Sequence, residues 1–150
     1  MLSIRSTTFA AALMLAGLAA APALQAEEKA GQWPEGAEAY IISPKDGAKV
    51  KSPVTVVFGL KGLGVAPAGV DKPHTGHHHL LIDTDVPTGE ALDEPLPADE
   101  HHKHFGGGQT ETTVELTPGK HTLQLIMGDA NHIPHNPPVV SKKITITVVK

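Results

Sequence analysis

The sequence predicts an all-β chain, an immunoglobulin-like β-sandwich carrying one long loop, with a small barrel as the alternative architecture. Three observations predict it. Six short runs are rich in β-branched residues, and the clearest of them alternate between two faces. Proline and glycine turn signals separate them, and no stretch sustains a helical apolar period. Strands of this number and spacing favour a sandwich. The chain has no cysteine, so the Cys–Trp–Cys spacing of true immunoglobulin domains is absent and the label describes architecture only.

The elements follow in order. Residues 39–43 form the first strand, stopped by Pro44 and the turn Lys45-Asp46-Gly47. Residues 53–60 form the second, with Val54, Val56 and Phe58 on one face and Thr55 and Val57 on the other, before Gly59, Gly62 and Gly64 break it. Residues 77–83 form a short strand with a continuous apolar centre, Leu80-Leu81-Ile82. Residues 111–116 and 121–127 flank Thr117-Pro118-Gly119-Lys120, a connection short enough to predict a hairpin. Residues 143–149 form the last strand, with Ile144, Ile146 and Val148 alternating against Thr145 and Thr147. Two connections, 61–76 and 84–110, are too long for ordinary turns, and loops of that length usually serve a function or stay disordered.

Ahead of these strands, residues 1–26 read as a secretory signal: Arg5, an apolar run over 9–21, Pro22, and a small residue, Ala26, before an acidic pair. The run is too short and wrongly flanked for a stable membrane anchor. Residues 27–38 are expected to be a flexible lead-in whose Trp33-Pro34 pair docks on the domain edge, and residues 39–150 a single β-sandwich domain. The expected location is the periplasm. Cleavage after Ala26 leaves 16 acidic against 11 basic residues, an acidic balance without the basic patch that nucleic acid requires. The missing cysteine also excludes a disulfide, a thiolate metal site, a blue-copper centre and a lipoprotein anchor.

All ten histidines lie beyond the signal, and most fall into three groups: His77-His78-His79 with His74 nearby; His101, His102 and His104; and His132 with His135. If the strand at 77–83 pairs antiparallel with 121–127, its start lies beside the finish of its partner and faces 129–135. The hairpin and the long loop then deliver the 101–104 group to the same pole. Strand period places His77, His79 and Leu81 on one face and His78, Leu80 and Ile82 on the other. A metal is therefore expected to use His77 with His79, or His78 alone. Neutral imidazoles suit Cu(II) by affinity and Zn(II) by availability, and Asp99, Glu100 and Asp129 stand near enough in sequence to ligate or to orient the rings. His121 stands apart and reads as a structural or solvent-facing residue. No nucleophile elbow and no Walker lysine occurs, and Gly106-Gly107-Gly108 reads as a hinge or a close backbone approach.

Several long motifs carry a family likeness. Gly62-Leu63-Gly64-Val65-Ala66-Pro67-Ala68-Gly69, Thr75-Gly76-His77-His78-His79-Leu80-Leu81-Ile82-Asp83, the run from Asp99 through Phe105 to Gly106-Gly107-Gly108-Gln109-Thr110, Pro118-Gly119-Lys120-His121-Thr122-Leu123-Gln124-Leu125 and Asn131-His132-Ile133-Pro134-His135 with Pro137-Pro138-Val139 resemble an exported bacterial family of unknown function, DUF4399. The likeness spans roughly residues 40–149. It implies a signal-bearing, periplasmic, single-domain protein and transfers neither an activity nor a residue role.

The function expected from the residues is a periplasmic binding module for a divalent transition metal, Cu(II) or Zn(II), serving as a binding, buffering or delivery protein. Its candidate ligands are His77, His79, His101, His102, His104, His132 and His135, and a periplasmic protein is a further candidate partner. No nucleic acid and no stable membrane anchor are expected. The alternative is a non-metal module that recognises a small ligand, a cell-wall component or a protein through the same polar loops. A metal-dependent enzyme, with Glu100 as base, is the least favoured reading.

Overall fold

The computed structural model describes residues 33–150, so the expected signal and most of the lead-in lie outside the described residues. Among those described, the strands are β1 (Glu38–Ser43), β2 (Lys49–Lys51), β3 (Val54–Lys61), β4 (Gly64–Val65), β5 (Thr75–Ile82), β6 (His102–His104), β7 (Glu111–Val114), β8 (Gly119–Gly128) and β9 (Ile144–Val149), with one 3₁₀ turn over Gly89–Asp93. No helix among them is long and apolar enough to cross a membrane.

The strands form two sheets in a sandwich-like arrangement. The smaller runs β1-β3-β7 and is antiparallel throughout. The larger runs β2-β9-β8-β5-β4, with β6 also paired to β5. Alternation builds the interface between them. Val54, Val56 and Phe58 of β3 are buried while Thr55 is exposed, and they pack with Leu80 and Ile82 of β5, with Leu123, Leu125 and Met127 of β8, and with Ile146 and Val148 of β9.

Strand β5 is buried on both faces from Gly76 to Ile82. Its inner face meets the smaller sheet. Its outer face carries Leu81, which joins Ile126 and Leu96 in a second apolar cluster flanked by Val86 and Val140. Leu96 comes from the long loop, so that loop folds back over the outer face of the larger sheet. Covering both faces explains why β5 reads as a continuous apolar run.

The expected antiparallel pairing of 77–83 with 121–127 is present: His77 stands opposite Gly128, His79 opposite Ile126 and Leu81 opposite Gln124. The expected hairpin is not. Residues 111–114 pair with β3, not β8, because β9 and β5 already occupy both edges of β8. The connection at 115–118 thus passes from one sheet to the other. The loop 84–110 also contains structure that the sequence did not signal, the 3₁₀ turn and β6. Strand β6 runs antiparallel to β5, with His104 opposite His79 and His102 opposite Leu81.

Candidate metal centre

Strand β5 supplies the buried half of the centre. His77 and His79 are two residues apart and share the outer face, with relative exposures of 0% and 1%. Their Nε2 atoms lie 3.0 Å apart. Strand β6 brings His104 alongside His79, and the ligand atoms of His77, His79 and His104 all fall within 4.8 Å of one another. The loop after β8 adds His132, whose Nε2 lies 3.1 Å from Nε2 of His104. The six ring-to-ring separations within this quartet run from 4.7 to 5.9 Å. His104 is exposed and His132 half-buried, so one side of the quartet faces solvent.

Two glycines make room for the rings. A Cβ on Gly128 would lie 3.0 Å from Nε2 of His79 and 3.1 Å from Cα of His132. A Cβ on Gly106 would lie 2.3 Å from Cε1 of His104. All three distances are shorter than ordinary contact, so side chains at these positions would displace a ring or the loop.

The loop carrying His132 is held by its own first residue. Asp129 accepts from the backbone N–H of Asn131 at 2.8 Å and of Ile133 at 2.9 Å through Oδ1. Its Oδ2 lies 2.9 Å from Nε2 of His135. These bonds hold His132 at φ 71° and His135 at φ 60°, a left-handed conformation that costs a residue with a Cβ about 1–2 kcal/mol. The backbone N–H of Leu96 donates to His132 O, that of His135 to Leu92 O and that of Gly69 to Ala130 O. Two separate connections, 61–76 and 84–110, therefore fix the loop.

Burial lowers the proton affinity of these rings. The His79 pKa falls to about 3, first through loss of solvent and then through the charges of His77, His104 and His132. The His77 pKa falls to about 4 for the same first reason, with His104 and His132 adding and Asp129 opposing. His104 is shifted downward by burial and then by His132. At neutral pH these imidazoles are neutral, the protonation state that ligates metals. Without an ion, each close Nε2 pair is an N–H···N hydrogen bond. With metal–nitrogen bonds of about 2.0–2.1 Å, separations of 3.0 and 3.1 Å subtend about 95–100° at a shared ion. That angle lies between square-planar and tetrahedral. Nδ1 of His77 and of His79 has no hydrogen-bond partner, so packing rather than a carboxylate orients these two rings.

The other candidate histidines are engaged elsewhere. His101 Nδ1 bonds Ile82 O at 2.9 Å, and His102 Nδ1 bonds Asp99 Oδ1 at 2.8 Å. The expectation that the whole 101–104 group reaches one pole is corrected by β6. Two residues of strand span about 7 Å, so His102 stays beside Leu81 while His104 reaches His79. His135 binds Asp129 and meets the Trp33 ring edge-on at 5.4 Å. His78 points into the core against Phe58, and burial pushes its pKa down to about 4 against the opposing backbone groups of Gln109 and Gly59. His121 bonds Asp83 Oδ2 at 2.7 Å and Thr117 O at 2.8 Å. Burial opposes its charge, but the Asp83 carboxylate and Thr117 carbonyl outweigh that and raise its pKa. Glu100 lies 3.5 Å from Nε2 of His101.

Sequence spacing does not reveal the roles of Gly106, Gly128 and Asp129 in the centre. The only sequence trace of the first two is glycine beside a histidine-bearing segment, and of the third an Asx-turn residue opening a loop.

A family model described as Domain of unknown function (DUF4399) matches residues 56–149. No curated protein and no solved structure matches the chain.

Proposed function

The chain belongs to the DUF4399 family, an uncharacterised family often found in bacteria; with no activity to carry over, we propose from the geometry that it is a periplasmic binding module for a divalent transition metal. His77, His79, His104 and His132 are the proposed ligands. The observation that carries the reading is the convergence of four imidazoles from three segments, with paired Nε2 atoms at 3.0 and 3.1 Å. Four imidazole nitrogen donors with no thiolate favour Cu(II) in the affinity order, and the angle of about 95–100° suits its tetragonal preference better than the tetrahedral preference of Zn(II). The solvent-facing side at His104 and His132 gives the ion a route in and out, which suits buffering or delivery.

Tag-free mature protein titrated with Cu(II) and Zn(II) by calorimetry tests this. One ion per chain with a dissociation constant below micromolar is expected. His79→Ala, His104→Ala and His132→Ala should each weaken binding at least tenfold, whereas His101→Ala and His102→Ala leave it within a few-fold. Absence of binding tighter than micromolar in the parent protein would overturn the proposal.

A second reading, a small-ligand module, is favoured by one feature. A cleft of about 560 Å³ lies between β6 and β7, lined by Lys103, Phe105, Thr113 and Glu115 among others. It lies on the free edges of the two sheets. Chemical-shift changes at these residues on adding a candidate ligand, with those near His77 unmoved, would favour this reading over the metal.

A further inference from the structure

Trp33 is the chain's only tryptophan, and it belongs to the segment ahead of the first strand. Its indole Nε1–H donates to the carbonyl oxygen of Pro134, within the loop that carries His132. Its ring meets the edge of His135 at 5.4 Å and 79°. It also rests on β5 at Gly76, where an added Cβ would lie 2.9 Å from the indole. One side chain thus touches the residue before His77 and the two residues that close the His132 loop.

Its contacts also complete a chain of fixed groups. Asp129 grips His135 from one side and Trp33 covers it from the other. Pro134, which receives the indole hydrogen bond, is fully buried. The left-handed conformation at His132 persists only where surrounding contacts over-determine it, and to the backbone bonds of Gly69, Leu92 and Leu96, Trp33 adds a side-chain contact from the segment ahead of β1.

We propose that Trp33 is a positioning residue for the metal centre: it straps the Asp129–His135 loop against β5 and so holds His132 on the quartet. The inference rests on the metal-binding reading above. Trp33 touches no proposed ligand and acts through His132 alone, which makes the claim separable from a general contribution to stability.

The test is a double-mutant cycle on the mature chain, read by Cu(II) affinity and by the copper paramagnetic-resonance spectrum. Trp33→Ala is expected to weaken binding about tenfold or more, the range seen when an outer contact of a metal site is lost, and to shift the spectrum toward that of His132→Ala. Combined with His132→Ala, it should cost nothing further in affinity. Trp33→Phe keeps a ring but loses the donor, and should fall between the parent and Trp33→Ala. Should Trp33→Ala fail to fold, Trp33→Phe and its combination with His132→Ala complete the same cycle. Additive losses, or a Trp33 variant with parental affinity and spectrum, would overturn the strap while leaving the metal centre standing. A parent protein that binds no copper overturns both.

Discussion

Gly106 and Gly128 show how single residues set the quartet. Neither has a positive φ, so each is required for space rather than for backbone freedom. Gly106→Ala would place a methyl 2.3 Å from the ring of the exposed His104, which must then swing outward. Metal affinity is expected to drop about tenfold or more while the metal-free melting transition stays within about 0.5 kcal/mol of the parent, as surface substitutions usually do. Calorimetry and thermal denaturation read the two quantities separately, and unchanged affinity would show that His104 is not a ligand. His78 offers the opposite case. Its ring lies in the core against Phe58, where burial lowers its pKa to about 4 although the backbone groups of Gln109 and Gly59 oppose the shift. His78→Leu should therefore make the acid-side loss of stability of the metal-free protein less steep in urea denaturation, leaving metal binding intact. An unchanged pH profile would show that this ring takes up no extra proton on unfolding.

Strand β6 is the element on which the site depends most. It has three residues and pairs only with β5 among the described strands, yet it carries His104 to His79. Lys103 stands opposite Leu80 in that ladder. Proline cannot donate to a ladder and restricts the residue before it. Lys103→Pro should detach β6, reduce metal affinity as far as His104→Ala does, and raise amide exchange at Phe105, whose N–H donates to His78 O. Retained affinity would mean that His104 is delivered by the surrounding loops. The 3₁₀ turn and Leu96 play the covering role, since Leu92 and Leu96 bond the His132 loop through their backbones while Leu96 closes the outer apolar cluster.

At the scale of the whole molecule, the buried imidazoles couple stability to pH. His77, His78 and His79 have folded-state pKa values lowered to about 4, 4 and 3, against 6.5 for an exposed histidine. Below pH 6.5 the unfolded chain takes up protons that the folded chain refuses. Stability is therefore full above 6.5 and is lost as pH falls toward 4. Each such group contributes a slope of up to about 1.4 kcal/mol per pH unit. Urea denaturation of metal-free protein between pH 7.5 and 4.5 should show a steep decline on the acid side. A flat profile would mean that these rings are solvated or already charged. Bound metal should raise the melting temperature at pH 7 and lose that effect on acidification, because protons compete for the same nitrogens.

Particular residues separate what could be read in the chain from what could not. The alternation in β3, the turn residues and the apolar centre of β5 favoured a sandwich over a barrel, because burial on one face writes period two, and burial on both faces a continuous apolar run, into the order of residues. The same period settled that His77 and His79 share a face and that His78 does not. Absence of cysteine excluded thiolate donors. The partner of residues 111–114 was decided only in three dimensions, since which edges of β8 remain free depends on the long-range pairing of β5 and β9. Selection among the remaining histidines was likewise tertiary. His104 joins the quartet and His102 does not because a three-residue strand pairs in one register, and three residues are too few to announce a strand by pattern. His132 joins because Asp129 and backbone bonds from two long connections hold its loop, whereas the ring of His135 is spent on Asp129. Local order in the sequence fixes which face a side chain takes; only the packed chain fixes which faces meet.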